Sequence, residues 1–548
     1  MAHALAGKPV QEQDIIDVQT IVDAYFDNVP DMTNPTQLVS FGTSGHRGTS
    51  VDGTFTDLHV AAITQAICDG RKQFGATGPI FVGQDTHALS QPALVTVLEV
   101  LAGNGVTAMV DCDMAFVPTP SVSRAIIRYN EEHDDKADGI IITPSHNPPD
   151  NGGIKYNTII GGPADTVVTK WIEMHANEYL TAYCESEDFK RISIDNIEPS
   201  AQVPYDYKGL YVEELGDVIN MEAIKEAGPK VLVDTLGGSG ASYWNAIKER
   251  YGLDLTIIHD DYDPTFSFMT YDHDGKVRMD CSSTYVMASV INRIGDFDLA
   301  VGNDPDYDRY GIVVSSGLIS ANIFLTLAAS YLFTTRGWKN KGVGKTVVCT
   351  TMIDKWAADA ETPVFEVPVG FKYFSQLLFD GAIGIGGEES AGASFLKKDG
   401  TVWTTDKDGM IMALLSMEIM AVMGKSELKM ADEFVEEFGN PSFGRIDAPC
   451  KKEQKQILKQ MSAELITATT VDGDPITNIR TTSLYNDMPI DGVRVETDKG
   501  WFVARPSGTE DLYKIYGESY KGDLGLVALL TAGEEIVNAA LNGTIETE

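Results

Sequence analysis

At 548 residues the chain is too long for one hydrophobic core and reads as several domains. Hydrophobic content of 43% and charged content of 22% are those of a soluble globular protein, and a formal net charge of −38 argues against nucleic acid or an anionic membrane as partner. Any site for an anionic substrate must then be assembled locally, from a few cations, backbone amides and metal.

In chain order, short β-branched runs alternate with amphipathic stretches, the pattern of an α/β protein. Helices are expected at 58–74, 91–103, 323–334 and 409–423, and strands at 80–82, 139–142, 230–233, 299–301, 346–349 and 382–385. Strand-like runs at 443–446, 493–497 and 501–504, with a helix near 526–541, mark a separate α+β domain. Breaks at 193–204, 315–320 and 438–443 give expected domains of 1–204, 205–320, 321–438 and 439–548.

Cys68, Cys112, Cys184, Cys281, Cys349 and Cys450 are widely scattered with no CxxC pair, as expected of reduced thiols in a cytoplasmic protein. No apolar signal-peptide core opens the sequence. The longest apolar run, 410–424, is interrupted by Glu418 and is too short to span a bilayer.

Four times an apolar strand runs directly into a polar loop: GIIITPSHNP (139–148), DLAVGNDPDYDR (298–309), AIGIGGEESAG (382–392) and WFVARPSGTE (501–510). Ligands gather at the carboxyl ends of strands in open α/β sheets. The second loop crowds Asp304, Asp306 and Asp308 into five residues, a repulsion that a hard divalent cation would relieve. An EF-hand is excluded, because its sixth and twelfth positions would be Arg309 and Ser315. Two readings remain besides a solvated acidic turn: a metal site, and an aspartyl-phosphate enzyme with Asp304 as nucleophile.

In the first loop Ser145 lies between Pro144 and Pro148, which stiffen it and present the hydroxyl in a defined direction. A phosphoserine there would complete a cation shell left open by three aspartates, and His146 is either a loop-stabilising partner or an acid/base. Arg505, Ser507, Gly508 and Thr509 read either as a type I or II turn ending a strand or as an anion nest, to which Lys514 could add a second cation. Glu388 and Ser390 offer a carboxylate and a hydroxyl suited to sugar hydroxyls. Near the N-terminus, Phe41-Gly-Thr-Ser-Gly-His-Arg-Gly48 combines a permissive backbone with Thr43, Ser44 and Arg47. Lys372 is an isolated lysine in Gly-Phe-Lys-Tyr, and Asp406-Lys-Asp-Gly409 reads only as a helix cap.

Taken together, FGTSGHRG, TPSHNP, DPDYDR, GFKY, GEESAG and RPSGTE occur in the order of the α-D-phosphohexomutase superfamily, which the whole chain resembles, and within it the phosphoglucomutases. The resemblance implies three similar α/β domains plus a smaller C-terminal α+β domain around a deep central cleft. It implies Ser145 as the phosphorylated nucleophile and ligand of Mg²⁺ with Asp304, Asp306 and Asp308, and Arg309 beside that phosphate. Glu388 and Ser390 would hold sugar hydroxyls, and Arg505, Ser507, Gly508 and Thr509 the non-reacting phosphate. Lys155 and Lys372 correspond to family lysines, leaving the general base among Arg47, His146, Lys155 and Lys372. Lys514 stands where many relatives carry Arg. The implied reaction interconverts glucose 1-phosphate and glucose 6-phosphate through glucose 1,6-bisphosphate, in a monomer or homodimer. Mannose and glucosamine enzymes of the superfamily tend to carry Gln or Met where Glu389 stands, which favours the glucose branch.

Overall fold

The strand Ile80–Gln84 is buried along its whole length and runs parallel to Ala108–Asp111 on one side and Asp138–Ile142 on the other. Strands covered on both faces read as continuous apolar runs, so Ile80–Gln84 and Asp138–Ile142 were visible in the sequence, whereas Ala108–Asp111, only alternately buried, was not. Asn151–Asn157 and Gly45–Thr49 extend the sheet antiparallel. Both are rich in glycine and owe their strand form to pairing rather than to intrinsic preference. This computed structural model describes residues 2–42, 45–186, 190–424, 427–506 and 512–545.

The chain divides into two compact units: Met1–Ser320 with Phe374–Gly381 and Ser390–Leu428, and Ala321–Tyr373 with Ala382–Glu389 and Lys429–Glu548. The segment 321–438, expected as one domain, is shared between them. Neither unit is a continuous piece of chain.

In the first unit, helices Asp57–Gly70, Ser90–Gly103 and Thr166–Glu185 cover the first sheet, burying Ile63, Ile67, Val97, Leu101, Ile172 and Leu180 against Ile140 and Ile154. The helix expected over 58–74 stops at Gly70 and the rest is turn. Thr166–Glu185 escaped the sequence reading, although Asp165 caps it by accepting from the Val167 and Val168 amides. The segment 193–204 is more than a connector, since Gln202–Tyr205 pairs parallel with Ala108–Asp111.

A second sheet centres on Val231–Asp234, parallel to Leu255–Ile258 and Leu299–Asn303. Leu299–Asn303 then turns back antiparallel into Tyr310–Val314, with Asn303 opposite Tyr310. Residues 304–309 are therefore a loop at a strand's carboxyl end.

In the second unit Gly342–Thr346 runs parallel to Val364–Val367 and Ile383–Gly387. This corrects the strand expected over 346–349. Val347 and Val348 lie in a turn, and their burial against Ile490, Trp501 and Val503 explains their apolar character. The C-terminal segment forms an antiparallel sheet under the helix Gly522–Ile545, which buries Leu529, Leu530, Val537 and Leu541 on it. Gly522–Asn542 is long and apolar enough to cross a membrane by length and composition, with mean hydropathy 1.5. It carries Asp523, Glu534 and Glu535, and Leu529, Leu530, Val537 and Leu541 are the side chains it buries on the sheet.

A buried ion network ties Val364–Val367 to this sheet. Arg480 donates to Glu366 at 2.7 Å and to Glu496 at 3.0 Å, Arg494 donates to Glu496 at 2.6 Å, and the Arg494 guanidinium stacks 4.1 Å from the Trp501 ring centre.

Candidate active site

In the first unit the loop after Asp138–Ile142 meets the loop after Leu299–Asn303. The Ser145 hydroxyl donates to Asp304 Oδ2 at 2.9 Å across 159 positions of sequence. Ser145 is buried and has φ of 60°, a left-handed conformation that costs a non-glycine residue about 1–3 kcal/mol. Among the residues that share it are Tyr307 at 63° in the acidic loop and Ala391 at 65° just after Ser390. The surrounding contacts must hold all three.

Asp304, Asp306 and Asp308 are all buried, and their ligand oxygens lie within 4.8 Å of one another. Asp304 Oδ1 accepts the Arg309 amide at 2.9 Å, so both its oxygens are engaged. That makes Asp304 a partner of the serine and counts against it as a lone nucleophile. Lys155 donates to Asp306 at 2.6 Å and to Asp308 at 3.1 Å. Thr119 donates its hydroxyl to Asp306 at 2.8 Å, and Lys407 lies 2.7 Å from Asp308 Oδ2. Burial and then the neighbouring Asp306 and Asp308 push the Asp304 pKa well above the usual carboxylate range. Burial pushes Asp308 the same way, but Lys155, Lys407 and Arg309 outweigh it and hold its pKa well down. Burial opposes the Lys155 charge, yet Asp306 and Asp308 raise its pKa.

The residues fit a hard divalent cation. Asp306 Oδ1 and Asp308 Oδ1 are buried acceptors without a hydrogen-bond donor, while their Oδ2 atoms take the lysines. Buried acceptors of this kind are costly unless paired.

Arg309 lies 3.5 Å from Asp280, and the His146 Nδ1 is 3.3 Å from Ser145 Oγ. Burial and then Arg309 push the His146 pKa well below that of ordinary imidazole. Arg47, half-buried on Gly45–Thr49, stands in the field of the three aspartates and of Arg309. Ser390 also belongs to this unit, where the Tyr310 amide donates to the Ala391 carbonyl at 3.1 Å.

Lys372, Glu388, Arg505 and Lys514 belong to the second unit. Lys372 opens the helix Lys372–Phe379, and Glu388 is buried just past Ile383–Gly387. Arg505 and Lys514 are direct register partners in the hairpin of Gly500–Pro506 and Leu512–Ser519. Side chains directly opposite share a face, and Asp447 stands opposite Lys514 on its other side, so the two cations gather beside one carboxylate. Thr43, Ser44, Ser507, Gly508 and Thr509 lie outside the described residues.

Sequence reasoning missed three supports. Lys407 was hidden in a segment read only as a cap, and Asp408 does cap Gly409–Met423 by accepting from Ile411. Ser239 donates its amide and its hydroxyl to the Pro305 carbonyl, each at 2.8 Å. Gly240 packs so closely that a Cβ would sit 2.3 Å from the Tyr307 ring. A glycine-rich strand-to-helix turn at 237–240 was the available signal.

A buried serine facing a cation-ready aspartate triad, with two lysines and an arginine around it, is an arrangement chemically suited to phosphoryl transfer. Models of the phosphoglucomutase/phosphomannomutase family match residues 38–182, 210–317 and 320–438 as its α/β/α domains I, II and III, and 447–524 as its C-terminal domain. A phosphoglucomutase of Komagataeibacter xylinus is 47% identical over 539 residues, 97% of both chains. Phosphoglucomutase 1 of Saccharomyces cerevisiae is 26% identical over 526 residues, 88% of both chains. The crystal structure of a phosphomannomutase from Thermus thermophilus, so described provisionally, superposes with TM-score 0.72 at 23% identity, covering 91% of this chain and 99% of that one. The chain belongs to the phosphoglucomutase/phosphomannomutase family and is an isomerase acting by intramolecular phosphoryl transfer.

Proposed function

We propose that the chain interconverts α-D-glucose 1-phosphate and D-glucose 6-phosphate through phosphoserine at Ser145 and a glucose 1,6-bisphosphate intermediate. The observation that carries the sugar assignment is the 47% identity, along 97% of both chains, to a protein named phosphoglucomutase. The Ser145–Asp304 contact supports the chemistry.

Phosphorylated Ser145 donates its phosphoryl group to the 6-hydroxyl of glucose 1-phosphate: the Oγ–P bond breaks, the O6–P bond forms, and the hydroxyl proton passes to a base. The bisphosphate then returns its 1-phosphoryl group to Ser145. Asp304, Asp306 and Asp308, with the serine phosphate, would hold Mg²⁺, which when bound neutralises charge on the transferring group. Arg309 and Arg47 add fixed positive charge, so catalysis is chiefly positioning and electrostatics. Among the base candidates, His146 has its Nδ1 3.3 Å from the serine hydroxyl, and Lys155 is held as an ammonium by two carboxylates. Glu388 and Ser390 are assigned to sugar hydroxyls, and Arg505 and Lys514, with Ser507, Gly508 and Thr509, to the distal phosphate. We assign Thr43 and Ser44 to the substrate as well, and divide the chain functionally as 1–204, 205–320, 321–438 and 439–548. All six cysteines are free thiols, which supports a cytoplasmic enzyme.

The test compares kcat/KM for the 1-phosphates of glucose, mannose and N-acetylglucosamine, each with its matching bisphosphate. Glucose is expected to lead, and a clear preference for another sugar overturns the substrate assignment. Ser145→Ala is expected to abolish mutase activity.

A further inference from the structure

The strand Ile80–Gln84 ends in Asp85-Thr86-His87, and no step above uses these residues. The Asp85 and His87 side chains are both 0% exposed. Asp85 Oδ1 accepts the His87 amide at 3.0 Å and the Ser90 hydroxyl at 2.6 Å. Its Oδ2 takes His87 Nδ1 at 2.8 Å and the Thr143 hydroxyl at 2.6 Å. Thr143 Oγ1 in turn accepts the backbone amide of Ser145 at 2.8 Å. On the far side, His87 Nε2 lies 3.0 Å from the Asn147 carbonyl oxygen. Carboxylate and imidazole therefore grip the nucleophile loop at both ends, with the left-handed Ser145 between.

The two partners of the His87 ring, a carboxylate and a carbonyl oxygen, only accept. Neutral imidazole carries one N–H and would leave a ring lone pair facing an oxygen inside a buried site. Imidazolium donates to both. Asp85 supplies the facing charge, Asp306 adds a more distant one, and Tyr262 stands in the field of Asp85. The remaining neighbour is apolar, the Phe266 ring at 5.1 Å between centres. Burial works against the charge, but Asp85 outweighs it and raises the His87 pKa.

We propose that Asp85 and His87 are a clasp that positions the 143–147 loop so that Ser145 Oγ faces Asp304, with the His87 ring doubly protonated. This rests on the reading of Ser145 as nucleophile. A group whose folded pKa is raised contributes fully below its unfolded value and loses that contribution as pH rises through the folded one. The clasp should therefore open on the alkaline side.

The experiment uses full-length enzyme with Mg²⁺ and ¹⁵N-labelled histidine. The His87 resonance, identified by its loss in His87→Gln, is expected to show both ring nitrogens protonated at neutral pH. In His87→Gln, kcat should fall roughly 100-fold, the order lost to a misplacement of about 1 Å, with KM for glucose 1-phosphate held within about twofold. The variant should also lack the wild-type alkaline limb. A bare ring nitrogen in the wild type, or unchanged kcat in a folded His87→Gln, overturns the clasp. If His87→Gln does not fold, His87→Asn identifies the resonance instead, and the protonation seen in the wild type decides. Full mutase activity in Ser145→Ala would instead sink the nucleophile reading, whatever the state of the His87 ring.

Discussion

Ser145 Oγ donates to Asp304 Oδ2 at 2.9 Å, joining the ends of two strands from different sheets in one buried contact. Asp304→Asn keeps the shape and removes the charge from the cation shell. Turnover is expected to fall about 100- to 1,000-fold, the scale of losing one preorganised electrostatic contact. The rise in Tm that Mg²⁺ gives the wild type should shrink or vanish, since binding to the folded state at 100 times Kd stabilises by about 2.7 kcal/mol. Steady-state assays measure the first, and a Mg²⁺ titration of thermal melts, with EDTA as the zero point, measures the second.

Lys407→Met tests the support that Asp308 receives from the helix-capping segment. In EDTA it should destabilise the first unit by about 1–3 kcal/mol, because a buried carboxylate oxygen loses a charged donor. Added Mg²⁺ should restore more stability to the variant than to the wild type, since the cation replaces a missing positive charge. Denaturant midpoints with and without Mg²⁺ decide this.

Arg505→Met and Lys514→Met each remove one of two facing cations. KM for glucose 1-phosphate is expected to rise about 10- to 100-fold, as for a charge-assisted contact worth about 1.5–3 kcal/mol, with a smaller change in kcat. Without ligand, Lys514→Met should change the hairpin's stability little, because Lys514 also stands opposite Asp447 on its other side, which offsets the like-charge opposition to Arg505. Steady-state kinetics and thermal melts of the apo enzyme separate the two effects.

Acid should unlock the second unit through Glu496. Burial raises its pKa, but Arg494 and Arg480 outweigh that and hold it at about 2, against an ordinary value of 4.5. A depressed carboxylate contributes fully above its unfolded pKa and loses that contribution as pH falls through the folded one. Stability is therefore expected to decline between about pH 4.5 and 2, and Glu496→Gln should flatten that slope. Denaturant unfolding across this window is the measurement.

How much of this was legible depended on whether the chemistry was local. Ser145, Asp304, Asp306 and Asp308 announce themselves because proline stiffness and charge crowding are written in consecutive residues. Lys407 does not, since its neighbour Asp408 satisfies a complete local explanation as a cap and the ion pair with Asp308 is visible only in three dimensions. The strand Gly45–Thr49 was missed for a related reason: Gly-His-Arg-Gly-Thr has little strand preference and is shaped by its pairing with Asn151–Asn157. Val347 and Val348 misled in the opposite sense, because β-branched residues buried in a turn look like a strand.

The order in which the chain is made gives Lys407 a second significance. Asp308 is synthesised about a hundred residues before Lys407, well after Lys155. At roughly 5–20 residues per second, the acidic loop waits about 5–20 s on the ribosome for its second lysine. Until then Arg47, Lys155, Arg309 and any captured cation must balance the three aspartates without it. A chain cut short at Ser320 never escapes that stage, since it lacks Phe374–Gly381 and Ser390–Leu428. Divalent cation should accordingly matter to the nascent chain before it matters to the sugar.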